Sequence, residues 1–365
     1  MKILYITPKI SGEGGLVRVI SLKANYSSNI FGHEIHILTQ NENHSLFYEF
    51  NEKIGLHNML LKGKGLKLLF SYRKELKKQI NIIDPDLVIV CEGLKGFFIP
   101  WILPFKIPII FEVHGSIFNI ENELGSTLLS RIKQNIEILF KKLAARKFTK
   151  IIFLSEESAK EWNLKNSEII PNPIWFTTDK TSGLNTKRAI SVARHSYEKG
   201  IDRLLLIWQK VVLIHPEWTI DIYGESETNL SYQIMAQELN IESKVNFHKP
   251  VINIVEKYQN ASLCLMTSRF EGFGMALLEA MTCGLPCIAF DCPCGPRSLI
   301  FNDENGLLIE NHNIDVFSES VIQLISDNNN MKRLGKNAVL SVQKYNLEDI
   351  MAQWNKLFFE ITNKH

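Results

Sequence analysis

Short apolar runs rich in β-branched residues recur along the chain, and each is followed by a stretch with helical spacing. In the first half these runs are Lys2–Thr7, Glu34–Thr39, Asp86–Cys91, Pro108–His114 and Lys150–Ser155. In the second half they are Ala189–Arg194, Trp218–Gly224, Val245–His248, Ser262–Ser268 and Pro286–Asp291. Most lack polar–apolar alternation, which fits strands covered by helices on both faces. Strands that alternate with helical stretches predict parallel, doubly wound sheets with right-handed crossovers. Each half carries one such series, so the fold class is α/β with two Rossmann-like domains.

A length of 365 residues also exceeds the usual single core. Ile170-Pro-Asn-Pro-Ile174 and the polar stretch that follows break regular structure, so residues 171–187 read as a linker. The first domain is then 1–170 and the second 188–345. In the tail, 346–365, Ile350, Met351, Trp354, Leu357 and Phe358 form one apolar stripe at helical spacing. That helix is expected to pack back on the first domain. Two doubly wound domains are expected to turn their strand carboxyl ends toward a central cleft, where such sheets bind ligands.

A hydrophobic content of 45% and a charged content of 22% are ordinary for a globular chain. Pro100, Pro104, Pro108 and Lys106 interrupt the most apolar stretch, Phe97–Phe111, which excludes a spanning helix there. The start of the chain reads as a buried strand rather than a secretory signal. Six cysteines, four of them between Cys283 and Cys294, lack the paired spacing of a zinc site and read as reduced structural thiols. A cytoplasmic location is therefore expected. Charge is uneven: residues 1–170 hold 23 Lys and Arg against 17 Asp and Glu, although the whole chain is only +2. The first half is thus expected to face something anionic.

The strongest chemical signal is Ser268-Arg-Phe-Glu-Gly-Phe-Gly-Met-Ala-Leu-Leu-Glu279 and its continuation to Pro286. It reads as a strand end, a tight glycine turn and a short helix stopped by Gly284. Gly272 and Gly274 let backbone N–H groups approach a ligand, and the helix N-terminus favours an anion. Glu271 and Glu279 can grip hydroxyl groups. A second motif, Ala189 to Gly200, places Arg194 and Lys199 at a strand end, where two cations suit a diphosphate. A third, Gly12-Glu-Gly-Gly-Leu-Val-Arg18, follows the first strand but lacks the dinucleotide pattern of glycines. A fourth, Phe111-Glu-Val-His-Gly-Ser116, ends a strand with His114. Asp84-Pro-Asp86 precedes a strand as a turn does and is not read as a metal motif.

With these four motifs in this order, the chain resembles the retaining glycosyltransferases of family 4, which have the GT-B fold. The resemblance covers nearly the whole chain and is most specific from Arg269 to Pro296. It implies that Glu271 contacts the donor sugar and Glu279 the ribose. Arg194 and Lys199 would stabilise the leaving diphosphate, and His114 would contact sugar or acceptor. Gly14, Gly15, Gly224, His248, Gly272, Phe273, Gly274 and Met275 would line the donor site, and Arg18 the acceptor. Val17, Lys249 and Ser298 depart from the residues usual at their positions in that family. The implied reaction moves a hexose or N-acetylhexosamine from a UDP-sugar to a hydroxyl of a lipid-linked or surface-glycan acceptor. It needs no metal or other cofactor, and retention is described in that family as same-face attack assisted by the leaving phosphate. GDP-mannose is the alternative donor. A nucleotide-sugar epimerase or hydrolase, or a non-catalytic sugar-nucleotide-binding partner, remain the rival functions; no nucleic acid is expected to bind.

Two basic segments interleave with apolar residues. Residues 62–78 hold Lys62, Lys64, Lys67, Arg73, Lys74, Lys77 and Lys78 among Leu66, Leu68, Leu69, Phe70 and Leu76. Residues 131–150 hold Arg131, Lys133, Lys141, Lys142, Arg146, Lys147 and Lys150. Such segments suit an anionic membrane surface, the expectation being peripheral attachment at the inner face of the plasma membrane.

Overall fold

The computed structural model describes residues 1–42, 46–103, 106–117, 128–225 and 231–363, side chains of 128–131 excepted. Pro104 and the Arg131 side chain therefore lie outside the described residues. The chain forms two compact units, Met1–Trp175 with Leu347–His365, and Phe176–Asn346.

The first unit is built on a seven-stranded parallel sheet. Its strands are β1 (Lys2–Ile6), β2 (Glu34–Gln40), β3 (Gly55–Met59), β4 (Leu87–Val90), β5 (Ile109–Val113), β6 (Lys150–Phe153) and β7 (Ser167–Ile169). Its helices are α1 (Gly15–Asn29), α2 (Leu66–Ile83), α3 (Leu128–Ala145) and α4 (Glu156–Trp162). The second unit holds a six-stranded parallel sheet of β8 (Arg188–Val192), β9 (Thr219–Tyr223), β10 (Val245–His248), β11 (Leu263–Met266), β12 (Cys287–Asp291) and β13 (Leu307–Glu310). Its helices are α5 (Ile201–Ile214), α6 (Ser231–Glu238), α7 (Ile254–Gln259), α8 (Met275–Thr282), α9 (Ile314–Ser326) and α10 (Asn328–Val342). Last comes α11 (Leu347–Thr362), which belongs to the first unit.

Strand order is β3-β2-β1-β4-β5-β6-β7 in the first sheet and β10-β9-β8-β11-β12-β13 in the second. In each, the order reverses beside the first strand, between β1 and β4 and between β8 and β11. Crossover helices leave in opposite directions there, which opens a crevice at the strand carboxyl ends. Every residue of β4 and β11 is buried, so each central strand packs helices on both faces. In the first unit one core joins α2, α3 and one sheet face, with Tyr72, Leu76, Ala144 and Phe148. The other face packs α1 and α11 through Val17, Ile20, Trp354 and Phe358. Among the described residues, no helix is long and apolar enough to cross a membrane.

Candidate active site

At the switch point of the second sheet, Arg194 follows β8, and Lys199 ends a single 3-10 turn, Tyr197–Lys199. The loop after β11 is tied to that turn. The Arg269 N–H donates to the Glu198 carbonyl at 2.8 Å. The Arg269 guanidinium forks onto both Asp202 oxygens at 2.9 and 2.6 Å, donates to the Tyr197 carbonyl at 2.7 Å, and lies 3.8 Å from the Tyr197 ring centre. Burial by itself would raise the Asp202 carboxyl, but the Arg269 hydrogen bonds and charge hold it below its usual range. The two loops are therefore tied together by one arginine.

Glu271 is the meeting point. Lys199 Nζ and Ser268 Oγ both donate to its Oε1, each at 2.7 Å. Its backbone bridges to Cys294 in the loop after β12. The second oxygen, Oε2, has no protein partner among the described residues and can accept from a ligand hydroxyl. Gly272 continues the turn, Phe273 is buried with its ring edge-on to Tyr345 at 5.5 Å, and Met275 opens α8. Gly274 caps that helix at φ +91°, a backbone position that disfavours any side chain. One turn into α8, Glu279 is 6% exposed and accepts from Tyr258 Oη at 3.1 Å.

The remaining residues expected at this site sit at neighbouring strand ends. Gly224 follows β9, and a Cβ there would stand 1.9 Å from the Ala193 carbonyl oxygen, so β9 can close on the residue before Arg194 only as glycine. His248 ends β10, its ring stacked on Tyr223 at 4.4 Å and its Nε2 3.0 Å from Asp221 Oδ1. Arg194 does not point freely into the site; its guanidinium pairs with Glu198. A separate cavity of about 470 Å³ beside β13 carries Asp303, Glu310 and Asp327 but no Lys or Arg, so it does not suit an anionic nucleotide.

In the first unit, Gly14 caps α1 in extended backbone and Gly15 opens the helix. A Cβ at Gly14 would meet nothing within 4 Å, so the protein itself leaves that space open. The Arg18 guanidinium lies between the rings of Tyr48 and Trp175, 4.8 and 4.1 Å from their centres. His114 follows β5 with Nε2 3.2 Å from Glu112 Oε2. Cys91, Glu112 and His114 place donor atoms within 4.8 Å of one another, the arrangement of a metal site. Lys23 Nζ, however, donates to both Glu112 oxygens at 2.6 and 2.7 Å. An ammonium thus already neutralises the carboxylate that a metal would need.

Two sequence profiles cover most of the chain in succession. Residues 14–174 match Glycosyltransferase Family 4 and residues 177–340 match Glycosyl transferases group 1. The chain belongs to the family 4, group 1 glycosyltransferases. This glycosyltransferase is 28% identical to an uncharacterized glycosyltransferase of Haemophilus influenzae, over 97% of its own length and 98% of the relative's. It is 24% identical to the amylovoran biosynthesis glycosyltransferase AmsD of Erwinia amylovora, covering 98% of this chain and 99% of that one. Among solved GT-B structures, Anabaena HepE in complex with UDP and glucose aligns with a TM-score of 0.75 at 19% identity, over 98% of this chain and 99% of that one.

Sequence reasoning about this glycosyltransferase missed several residues. Ser268 and Arg269 were legible only as parts of the motif, whereas the first holds Glu271 and the second joins the loops. Glu198 lies four residues from Arg194, a spacing that would have flagged the pair in a helix, but here the chain turns. Lys23 and Glu112 are 89 residues apart and carry no local signal.

Proposed function

We propose that this glycosyltransferase transfers a hexose or N-acetylhexosamine from a UDP-sugar to a hydroxyl of a lipid-linked or surface-glycan acceptor, with retention and without a metal. The observation that carries the reading is the grouping of Arg194, Lys199, Glu271 and the capped start of α8 at one sheet switch point. Arg194 and Lys199 supply the positive charge a departing diphosphate needs, which is worth most when placed before the reaction begins. Glu271 Oε2 takes a hydroxyl of the transferred sugar, and Glu279 the ribose. In the first unit, Gly14 and Gly15 are assigned to donor binding, and Arg18 and His114 to acceptor and sugar. The new bond forms between the acceptor oxygen and the anomeric carbon as the bond to the β-phosphate oxygen breaks. The acceptor proton passes to that leaving oxygen. The UDP and glucose in the HepE complex and the part of AmsD in amylovoran biosynthesis support this donor and acceptor class.

The acceptor class also fits the surface of the first unit. Ile132, Ile136, Leu139 and Leu143 recur on one face of α3, between 47% and 62% exposed. At 3.6 residues per turn, Lys133 and Lys147 flank that stripe on one side and Lys142 and Arg146 on the other. On α2, Leu66 and Phe70 continue into Arg73 and Lys77 along one line, all exposed. Both helices share one core, so both stripes belong to the same side of the sheet. This is the pattern of a peripheral contact with an anionic bilayer on the cytoplasmic side.

Incubation with UDP-glucose, UDP-galactose and UDP-N-acetylglucosamine, each with polyprenol-linked sugar acceptors, tests the reading. Acceptor-dependent UDP release with an α-configured product in proton NMR is expected. Turnover of every donor without acceptor, or a β-configured product, contradicts it.

A further inference from the structure

A buried ion pair behind His114 takes no part in the reaction drawn above. Glu112 and His114 are two residues apart along an extended segment, so their side chains fall on one side of the sheet. The Glu112 and Lys23 side chains are each 1% exposed, and the Lys23 ammonium lies 3.8 Å from the ring centre of Trp354 on α11. Burial would raise the Glu112 carboxyl, but Lys23 and His114 together hold it down to about 2, so it is a carboxylate at neutral pH. The neighbouring Tyr5 hydroxyl and Cys91 thiol are pushed well up by burial and by Glu112, and so keep their protons.

An ionised carboxylate can only accept hydrogen bonds. Whatever faces it without a proton is repelled. His114 Nε2 faces it at 3.2 Å, sealed from solvent and with no aligned hydrogen bond of its own among the described residues. The favourable arrangement puts the ring proton on Nε2. Nδ1 is not sealed in this way and has no hydrogen-bond partner among the described residues, so it carries the edge that a ligand can reach. In the neutral ring that edge is then a lone pair.

We propose that Glu112, charged and anchored by Lys23, is a positioning residue that commits His114 to its Nε2–H tautomer and makes Nδ1 an acceptor for a ligand hydroxyl. A sugar hydroxyl donates to such a nitrogen, whereas a phosphate oxygen does not, so the pair selects the sugar side of the ligand. That the hydroxyl belongs to a transferred or accepting sugar rests on the function proposed above.

Long-range proton–nitrogen NMR of protein labelled with nitrogen-15 histidine tests this, with His114 assigned by the signal lost in His114→Asn. The wild type is expected to show a protonated Nε2 and a bare Nδ1. The paired variant Lys23→Met with Glu112→Leu removes both charges together and leaves no orphaned ion in the core. It is expected to show mixed tautomers and to lose roughly tenfold in kcat/KM, the size of one hydrogen bond to substrate, with UDP affinity unchanged. Lys23→Met with Glu112→Met, which keeps the length of the glutamate side chain and also orphans no ion, is the second variant should the first pair not fold, and is expected to move in the same direction. A protonated Nδ1 in the wild type, or an unaltered Nε2–H form in the variants, overturns the proposal whatever the enzyme's activity. Unaltered sugar transfer by His114→Ala would instead contradict the reading of His114 as a sugar contact.

Discussion

Lys199 Nζ stands 2.7 Å from Glu271 Oε1, which joins the loop after β8 to the loop after β11 through one charged hydrogen bond. The bond fixes both partners while leaving Glu271 Oε2 without a hydrogen-bond partner among the described residues. Lys199→Ala is expected to lower kcat about 10²- to 10³-fold, the cost of removing one prepared stabiliser of developing negative charge, and to weaken UDP binding. Glu271→Gln is expected to lower kcat comparably but to leave UDP affinity within about twofold, because in the proposed site Glu271 meets the sugar. Steady-state kinetics with UDP calorimetry separates the two.

Arg194 pairs with Glu198, so a diphosphate bound as proposed would displace that carboxylate. Surface ion pairs of this kind are worth about 0.2–1 kcal/mol. Glu198→Gln is therefore expected to tighten UDP binding roughly 1.5- to 5-fold, and Arg194→Ala to weaken it. Tighter binding in Glu198→Gln that vanishes in the Arg194→Ala background is the outcome to look for by titration calorimetry.

The Lys23–Glu112 pair makes a prediction about stability. Lys23→Met alone strands a buried carboxylate and is expected to cost about 3–5 kcal/mol, whereas pairing it with Glu112→Leu costs far less. The Glu112 carboxyl is held down to about 2 from an ordinary 4.5. A depressed acid stabilises the fold fully above its unfolded value, and the contribution is lost as pH falls from about 4.5 toward about 2. Urea midpoints measured across that range are expected to fall more steeply for the wild type than for the paired variant.

For the membrane surface, Ile136→Gln with Leu139→Gln removes the centre of the α3 stripe. Both residues are exposed, so stability should change by no more than about 0.5 kcal/mol. Co-sedimentation with phosphatidylglycerol vesicles at low salt is expected to fall severalfold. Equal binding by the wild type and this variant would remove α3 from the account.

Most strands that were legible in the sequence are buried on both faces, such as β1, β4, β8 and β11, whose apolar runs need no partner to be read; β10 is an edge strand that was legible as well. The three that were not legible, Gly55–Met59, Ser167–Ile169 and Leu307–Glu310, are all edge strands. An edge strand is half wetted and short, and Gly-Leu-His-Asn-Met has neither a β-branched run nor alternation. The site follows the same division. Glycine turns and strand-end cations are local and could be read, whereas the partners of Arg194, Lys199 and Glu112 depend on turns and distant contacts. Lys23 on α1 reads as a solvated lysine until Glu112 and Trp354 close over it.

The central claim, a UDP-sugar site at the β8–β11 switch point, is tested most directly by thermal shift with UDP, GDP and ADP on the wild type, Arg194→Ala and Glu279→Ala. At one hundred times its dissociation constant, UDP should add about 2.7 kcal/mol and raise the melting temperature by several degrees. A shift selective for UDP that is lost in both variants is expected. A wild type that no nucleotide stabilises, or a UDP shift retained in both variants, would contradict it.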